Sequence, residues 1–536
     1  MDWNLADVFE TVAAAIPDAP AQRQGDRATT WRDFDRRANA LAADLLDAGL
    51  THQSKVAAYA QNTPEYLETY FAAFKGGFAP VNTNFRYGPN EVRYLFDNAD
   101  AEAVVFQARY SQVVDEVRAD LPKVRRWYVV DDESGERPDW ATSYADVVDA
   151  GADRPSAPWG RSGDDLLLLY TGGTTGMPKG VMWRQDDLFQ VLGRGGNVVV
   201  GAEPVDSLDE LAARTTAAGP VMLPACPVMH GTGQFSAFIA LGLGGSLVYL
   251  SPGHFDAAEL WDTVEEHRVN SVVIVGDAFA RPMLTELDAN PGRDLSSVQG
   301  ITSSGVMWSQ EVKEGLLRHV PQAMLIDSYG SSEAVGMGAS VSTKEASAKT
   351  AAFMLGERVK VITDDDRLVE PGSDDVGVVA ITGHIPLGYY GDEEKTKATF
   401  RVVDGVRYSI PGDYAMVEAD GTLKLLGRGS VCINTGGEKV FPEEVEEVLK
   451  LDERVADAVA VGVPDERFGE AICAVVEPVE GASVPEEELV ALVREHLAAY
   501  KSPRHVVPVE TIGRAPNGKV DYRRLKDLAT ERVASR

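Results

Sequence analysis

The string YTGGTTGMPKGV, Tyr170 to Val181, gathers side chains and backbone that suit an anion. It follows the apolar run DDLLLLY, so it reads as a loop leaving a strand. Gly172, Gly173 and Gly176 let main-chain amides curl toward a ligand, while Thr171, Thr174 and Thr175 add hydroxyl donors and Lys179 adds a positive charge. The spacing is not that of a Walker A loop. The fifth residue after Gly172 is Met177, and Lys179 precedes Gly180 rather than Ser or Thr. Taken alone, such a loop is more often a structural turn.

Elements able to carry this loop recur along the chain. Short apolar, often β-branched runs (KVAAYA, AEAVVF, RWYVV, GSLVYL, NSVVIV) alternate with helical patterns such as Pro64 to Lys75 and Ala257 to His267. That alternation predicts an α/β protein with largely parallel sheets. Thr30 and Asp33 suit a helix cap, followed by Phe34, Ala38, Leu41 and Leu45 at helical spacing and a stop at Gly49. From Arg358 the pattern becomes short strands and polar turns, a more antiparallel subdomain. After LKLLGRGS it changes again: a proline-started helix at FPEEVEEVL, a strand, then a helix at PEEELVALVREHL. We therefore divide the chain into a large N-terminal domain, 1–427, and a small α+β domain, 428–536.

The bulk properties exclude several classes. With 536 residues, 44% apolar and 25% charged, the chain is globular and multidomain. Lysines and arginines number 51 against 83 acidic residues, a formal charge of −32, which argues against general affinity for nucleic acid or anionic lipid. Solubility is the plainer meaning of that acidity, and a phosphate site needs only a local cluster of amides and cations. Cys226, Cys432 and Cys473 show neither metal-ligand spacing nor a disulfide framework, and the N-terminus lacks a signal-peptide pattern. No run approaches the about 18 apolar residues of a membrane span, so a cytoplasmic protein is expected. None of these strings encodes oligomeric state, and a homodimer stays open.

Five strings, in order, resemble motifs of the adenylate-forming superfamily of acyl-CoA synthetases, luciferases and peptide-synthetase adenylation domains. YTGGTTGMPKGV is similar to its phosphate loop, YGSSE (Tyr329 to Glu333) to its adenine and magnesium motif, and YSIPGDYA (Tyr408 to Ala415) to its ribose motif. GRGSVCINTGGEKVFPEEVE (Gly427 to Glu446) resembles the hinge and mobile loop, and PNGKVDYRRL (Pro516 to Leu525) the C-terminal lysine motif. The resemblance covers nearly the whole chain. It implies that a carboxylate attacks the α-phosphate of ATP, that pyrophosphate leaves, and that the acyl group passes to coenzyme A. It assigns Thr171 to Lys179 to the β- and γ-phosphates, Ser332 to the α-phosphate and Glu333 to a magnesium ion. Tyr329 lies by adenine, Asp413 and Arg428 bind the ribose, and Lys519 serves adenylation once the small domain has folded over. Gly436 and Gly437 line the path of coenzyme A, and the hinge lies at Gly429–Ser430. Ser430 departs from the family, which often has Asp or Lys there. Out of this context Glu333 is a solvated carboxylate, Tyr329 a core ring, Asp413 a turn residue and Lys519 a surface lysine.

His230 in PVMHG falls where the family places an aromatic or histidine beside the substrate carboxylate. Val273 to Pro282 and Ser303 to Trp308 are expected as acyl-pocket walls, with Gly305 against adenine or the acyl chain. NFRYGPNEVRYLFDNAD and GVMWRQDD are closest in look to an actinobacterial branch of long-chain synthetases that includes steroid-acid ligases, which implies a fatty or other hydrophobic acid. Two alternatives stay open: an acyl-AMP ligase that loads a carrier protein, and a non-catalytic ATP- or acyl-binding regulator. Retention of Lys179, Glu333, Asp413, Arg428 and Lys519 argues against the second, and no feature asks for luciferase-like oxidation.

Overall fold

The computed structural model describes residues 2–135, 137–171, 177–306, 308–346, 352–435, 438–465, 469–497, 499–515 and 520–535. The chain forms two compact units, 1–350 with 382–409, and 351–381 with 410–536.

In the first unit one sheet orders the strands Arg27–Thr30, Pro20–Gln24, Ser246–Tyr249, Val221–Pro224, Ser271–Ile274, Gly300–Ser304, Met324–Ser331 and Ala334–Ser342. The run from Pro20–Gln24 to Met324–Ser331 is parallel throughout. A second sheet orders Gly388–Tyr389, Lys179–Arg184, Leu166–Thr171, Ala79–Asn82, Lys55–Tyr59, Ala101–Gln107, Arg126–Val130 and Thr142–Ser143. The expected strands and helices are present at nearly the expected bounds: Thr30 caps the helix Trp31–Asp47 by accepting from the Asp33 amide at 3.1 Å.

The helix Pro64–Gly76 is buried along its whole length. It touches strands of both sheets, so it lies in a layer between them. Phe238 of the helix Gly231–Gly242 joins that layer, its ring 5.9 Å from Phe74 and 6.1 Å from Phe9. One buried cation is anchored here: Lys75 Nζ lies 2.5 Å from Glu10 and 2.7 Å from Asp35, and Arg161 grips both oxygens of Glu10 at 2.7 and 2.9 Å. Pairing is what makes such burial tolerable.

The second unit holds an antiparallel sheet, in which Val359–Ile362, Gly377–Thr382, Asp413–Val417, Leu423–Arg428 and Ala352–Leu355 pair in sequence. It also holds a five-stranded C-terminal sheet built on the pair Val455–Asp465 and Gly469–Pro478. Side chains of that pair alternate between two cores. Ala458, Ala460, Ile472 and Ala474 face the helices Pro442–Leu449 and Glu486–His496, whereas Val459, Val461, Cys473 and Val475 face Tyr522–Ala534. Among the described residues no helix is long and apolar enough to cross a membrane.

Burial alone would raise the Glu10 carboxyl, but Arg161 and Lys75 bring it from 4.5 down to about 2. A depressed carboxyl stabilises the fold fully above its unfolded pKa, and the effect is lost as pH falls through the folded value. Glu10→Gln should therefore cost about 2–3 kcal/mol at pH 7. In denaturant titrations that gap should close as pH falls from 4.5 toward about 2.

Candidate active site

In the parallel sheet, Met222 pairs with Ser271, Ser271 with Gly300 and Gly300 with Met324. The carboxyl ends of these strands therefore share one edge, where open α/β sheets gather ligands. His230, Gly305 and the pair Ser332–Glu333 all lie on segments that leave this edge. His230 caps the helix Gly231–Gly242. Gly305 has φ +94°, which favours glycine, and a Cβ there would lie 3.9 Å from Thr232 in the first turn of that helix and 3.9 Å from Val275. Gly305 and the His230 segment thus flank one spot. The Gly276 amide donates to Ser303 Oγ at 2.8 Å, tying neighbouring loops together.

The strands Leu166–Thr171 and Lys179–Arg184 form a hairpin in which Thr171 and Lys179 are register partners, so both ends of the glycine-rich loop are fixed side by side. A Cβ at Gly180 would meet the Tyr170 ring at 2.6 Å, so this close approach demands glycine. Two buried or half-buried carboxamides tie the sheet that carries the hairpin to the segment after Val221–Pro224 in the other sheet. Asn82 donates to Tyr170 O and Met229 O, each at 2.8 Å, and accepts from the Tyr170 amide. Asn62 donates to Pro224 O and Cys226 O at 3.0 Å and accepts from the Val228 amide at 2.8 Å. Together they set the strand Leu166–Thr171 against the segment leading to His230.

The turn Ser332–Glu333 is held from three directions. Trp183 Nε1 donates to Ser332 O at 3.0 Å, Ser409 Oγ donates to Glu333 O at 2.7 Å, and Tyr389 OH donates to Glu333 Oε1 at 2.7 Å. Among the described residues the Glu333 carboxylate has no cationic partner. Lys179 does have an ionic partner, Asp392, whose carboxyl this bond holds below the usual range. On the strand behind, buried Asp327 lies two residues before Tyr329 on the same face. Burial pushes its carboxyl up to about 6 against the pull of Lys313, 3.7 Å away and fully buried.

Asp413 and Arg428 belong to the second unit, where antiparallel register makes them direct partners. Ser430 lies in the single turn Gly429–Val431, and a Cβ at Gly429 would meet the Tyr414 ring at 2.6 Å. Gly172, Gly173, Thr174, Thr175, Gly176, Gly436, Gly437 and Lys519 lie outside the described residues, as do the side chains of Arg428 and Ser430.

The sequence reading gave no role to Asn62, Asn82, Trp183, Tyr389, Asp392 or Ser409. Asn82 ends the run APVN, where a buried amide has no apolar reason to be, and Asp392 opens DEEKT, a helix-cap pattern. Tyr389 carries no such signal, because its partner is 56 residues away.

A family model described as AMP-binding enzyme matches residues 9–390, and one described as AMP-binding enzyme C-terminal domain matches 444–519. The chain belongs to the AMP-binding enzyme family. This AMP-binding enzyme is 43% identical to a medium/long-chain-fatty-acid–CoA/3-oxocholest-4-en-26-oate–CoA ligase of Mycolicibacterium smegmatis, over 100% of the chain and 98% of the relative. It is also 43% identical to a 3-oxocholest-4-en-26-oate–CoA ligase of Rhodococcus rhodochrous, over 100% and 97%. Its fold matches the crystal structure of the anthranilate CoA ligase AuaEII in complex with anthranoyl-AMP, with a TM-score of 0.84 at 20% identity over 99% of this chain and 98% of that one.

Asn82→Ala would leave three main-chain groups of this AMP-binding enzyme unpaired in the interior, a loss of about 2–4 kcal/mol. Chemical denaturation should show that loss. Steady-state kinetics should show at least a tenfold fall in kcat/KM for acid activation, about 1.4 kcal/mol in the barrier, because the strand Leu166–Thr171 and the His230 segment lose their common support.

Proposed function

We propose that this enzyme is an ATP-dependent, AMP-forming acyl-CoA ligase for a hydrophobic carboxylic acid, either a fatty acid or a bulky acid such as a steroid side-chain acid. An oxygen of the acid attacks the α-phosphate of ATP and pyrophosphate leaves. The thiolate of coenzyme A then attacks the acyl carbon and AMP leaves. One observation carries the reading: a lysine at the end of the glycine-rich string and a carboxylate with no cationic partner among the described residues are both held by one segment, Tyr389 to Asp392. Full-length kinship with fatty- and steroid-acid CoA ligases supports the substrate class.

Both reactants are anions, so catalysis rests on neutralising charge and fixing geometry. Lys179 exchanges Asp392 for the β- and γ-phosphates, with Thr171 to Gly176 supplying further donors. Ser332 contacts the α-phosphate, Tyr329 and Gly305 border the adenine, and Asp413 with Arg428 takes the ribose. His230 and Gly305 border the acyl carboxylate. Glu333 suits magnesium, since its carboxylate faces no cation among the described residues. Glu333 would hold such an ion together with phosphate oxygens of the nucleotide, the usual arrangement for magnesium. When bound there, magnesium neutralises phosphate charge. In this reading the functional boundary lies at 427/428. Rotation about Ser430 then exchanges Lys519, which serves adenylation, for the Gly436–Gly437 loop, which admits coenzyme A.

Incubating the protein with ATP, magnesium and fatty, aromatic or steroid acids, with and without coenzyme A, tests the substrate by mass spectrometry. Acyl-CoA from a fatty or steroid acid is the expected product. Acyl-AMP that persists with coenzyme A present would favour a carrier-protein acceptor, and no turnover of any acid would favour a regulator. Lys519→Ala should slow acyl-AMP formation by at least about 100-fold, the scale of one lost transition-state donor, and spare thioester formation from supplied acyl-AMP. Equal loss in both half-reactions would count against a step-specific lysine.

A further inference from the structure

The Tyr389 hydroxyl lies 2.7 Å from Glu333 Oε1, although Tyr389 lies in the second sheet and Glu333 in a turn between two strands of the first. The tyrosine is itself fixed. It is 5% exposed and paired with Val181 in the second sheet. Its amide donates to Thr396 Oγ1 at 2.9 Å, and its ring lies 5.9 Å from that of Phe400. Gly388 before it, at φ +149°, lies so close to Thr396 that any Cβ would clash. A rigid phenol therefore meets a carboxylate whose main chain is pinned separately by Ser409.

We infer that Tyr389 is a positioning residue for the metal-binding carboxylate: its hydroxyl occupies Glu333 Oε1, fixes the side-chain rotamer and would leave Oε2 available to a cation. This rests on the reading of Glu333 as the magnesium ligand. The choice of tyrosine has a physical reason. Lysine or arginine at this place would orient Glu333 equally well, but its charge would neutralise the carboxylate and compete with the cation. A neutral phenol donates one hydrogen bond and leaves the negative charge available. The same segment does the converse for Lys179, to which Asp392 offers a carboxylate that phosphate can replace.

The test uses the full-length protein, its Tyr389→Phe, Glu333→Gln and double variants, manganese and α,β-methylene ATP. Manganese affinity with the nucleotide present is read by electron paramagnetic resonance, nucleotide affinity in EDTA by calorimetry, and folding by thermal melting. Tyr389→Phe keeps the ring and its packing. It should weaken manganese binding about tenfold, the scale of a lost outer-shell partner, while metal-free nucleotide affinity and the melting midpoint stay near wild type. The double variant should bind manganese no worse than Glu333→Gln alone, because the hydroxyl acts through that carboxylate. Loss of metal-free and metal-dependent binding alike in Tyr389→Phe would overturn the inference in favour of a structural role. Normal manganese binding in Tyr389→Phe with weakened binding in Glu333→Gln would overturn it and leave the Glu333 reading standing. Normal binding in Glu333→Gln would remove the metal role of Glu333 and the inference with it.

Discussion

A carboxamide buried between two sheets must find partners for its donor and acceptor, and Asn82 finds them on both sides at once. Its amide reaches Tyr170 O in one sheet and Met229 O in the loop leaving the other, while its oxygen takes the Tyr170 amide. Those bonds, with the parallel set from Asn62, hold the carboxyl ends of two independent sheets at a fixed separation. Everything proposed for the first unit depends on that separation. The hairpin of Leu166–Thr171 and Lys179–Arg184 belongs to one sheet, and His230, Gly305 and Glu333 follow strands of the other. The helical layer beneath, anchored by Lys75 and its carboxylates, gives the two sheets a common floor.

The electrostatics of the edge follow from the problem of joining anion to anion. Lys179 is held ready by an acidic partner, and Glu333 is oriented by a neutral one. Neither arrangement commits its charge irreversibly, and in the proposed reading phosphates and a divalent cation replace or complete the contacts. Asp327 behind Tyr329 is different. Burial raises its carboxyl toward neutrality and Lys313 opposes this, which makes the pair part of the support rather than of the exchange.

Local signals in the sequence carried the elements well, because their causes are local. Thr30 caps its helix, Pro442 starts one, and the apolar runs are strands within a residue or two of their expected bounds. The strands Leu166–Thr171 and Lys179–Arg184 on either side of the glycine-rich string are likewise local, although residues 172–176 of that string lie outside the described residues. The supports of the site were not. Asn82 meets Met229 across 147 residues and Tyr389 meets Glu333 across 56, and nothing in either neighbourhood states that pairing. Asp413 and Arg428 are intermediate. Their opposition follows from one short hairpin, which a strand–turn–strand pattern allows but whose register only the structure fixes.

The central claim is that this fold joins a carboxylate to AMP before any thiol takes part. Acid-dependent exchange of labelled pyrophosphate into ATP tests it most directly. With magnesium and a fatty or steroid acid, exchange should proceed in the complete absence of coenzyme A and stop when the acid is withheld. Exchange that requires coenzyme A, or none with any acid while the protein remains folded and binds ATP, would contradict the account.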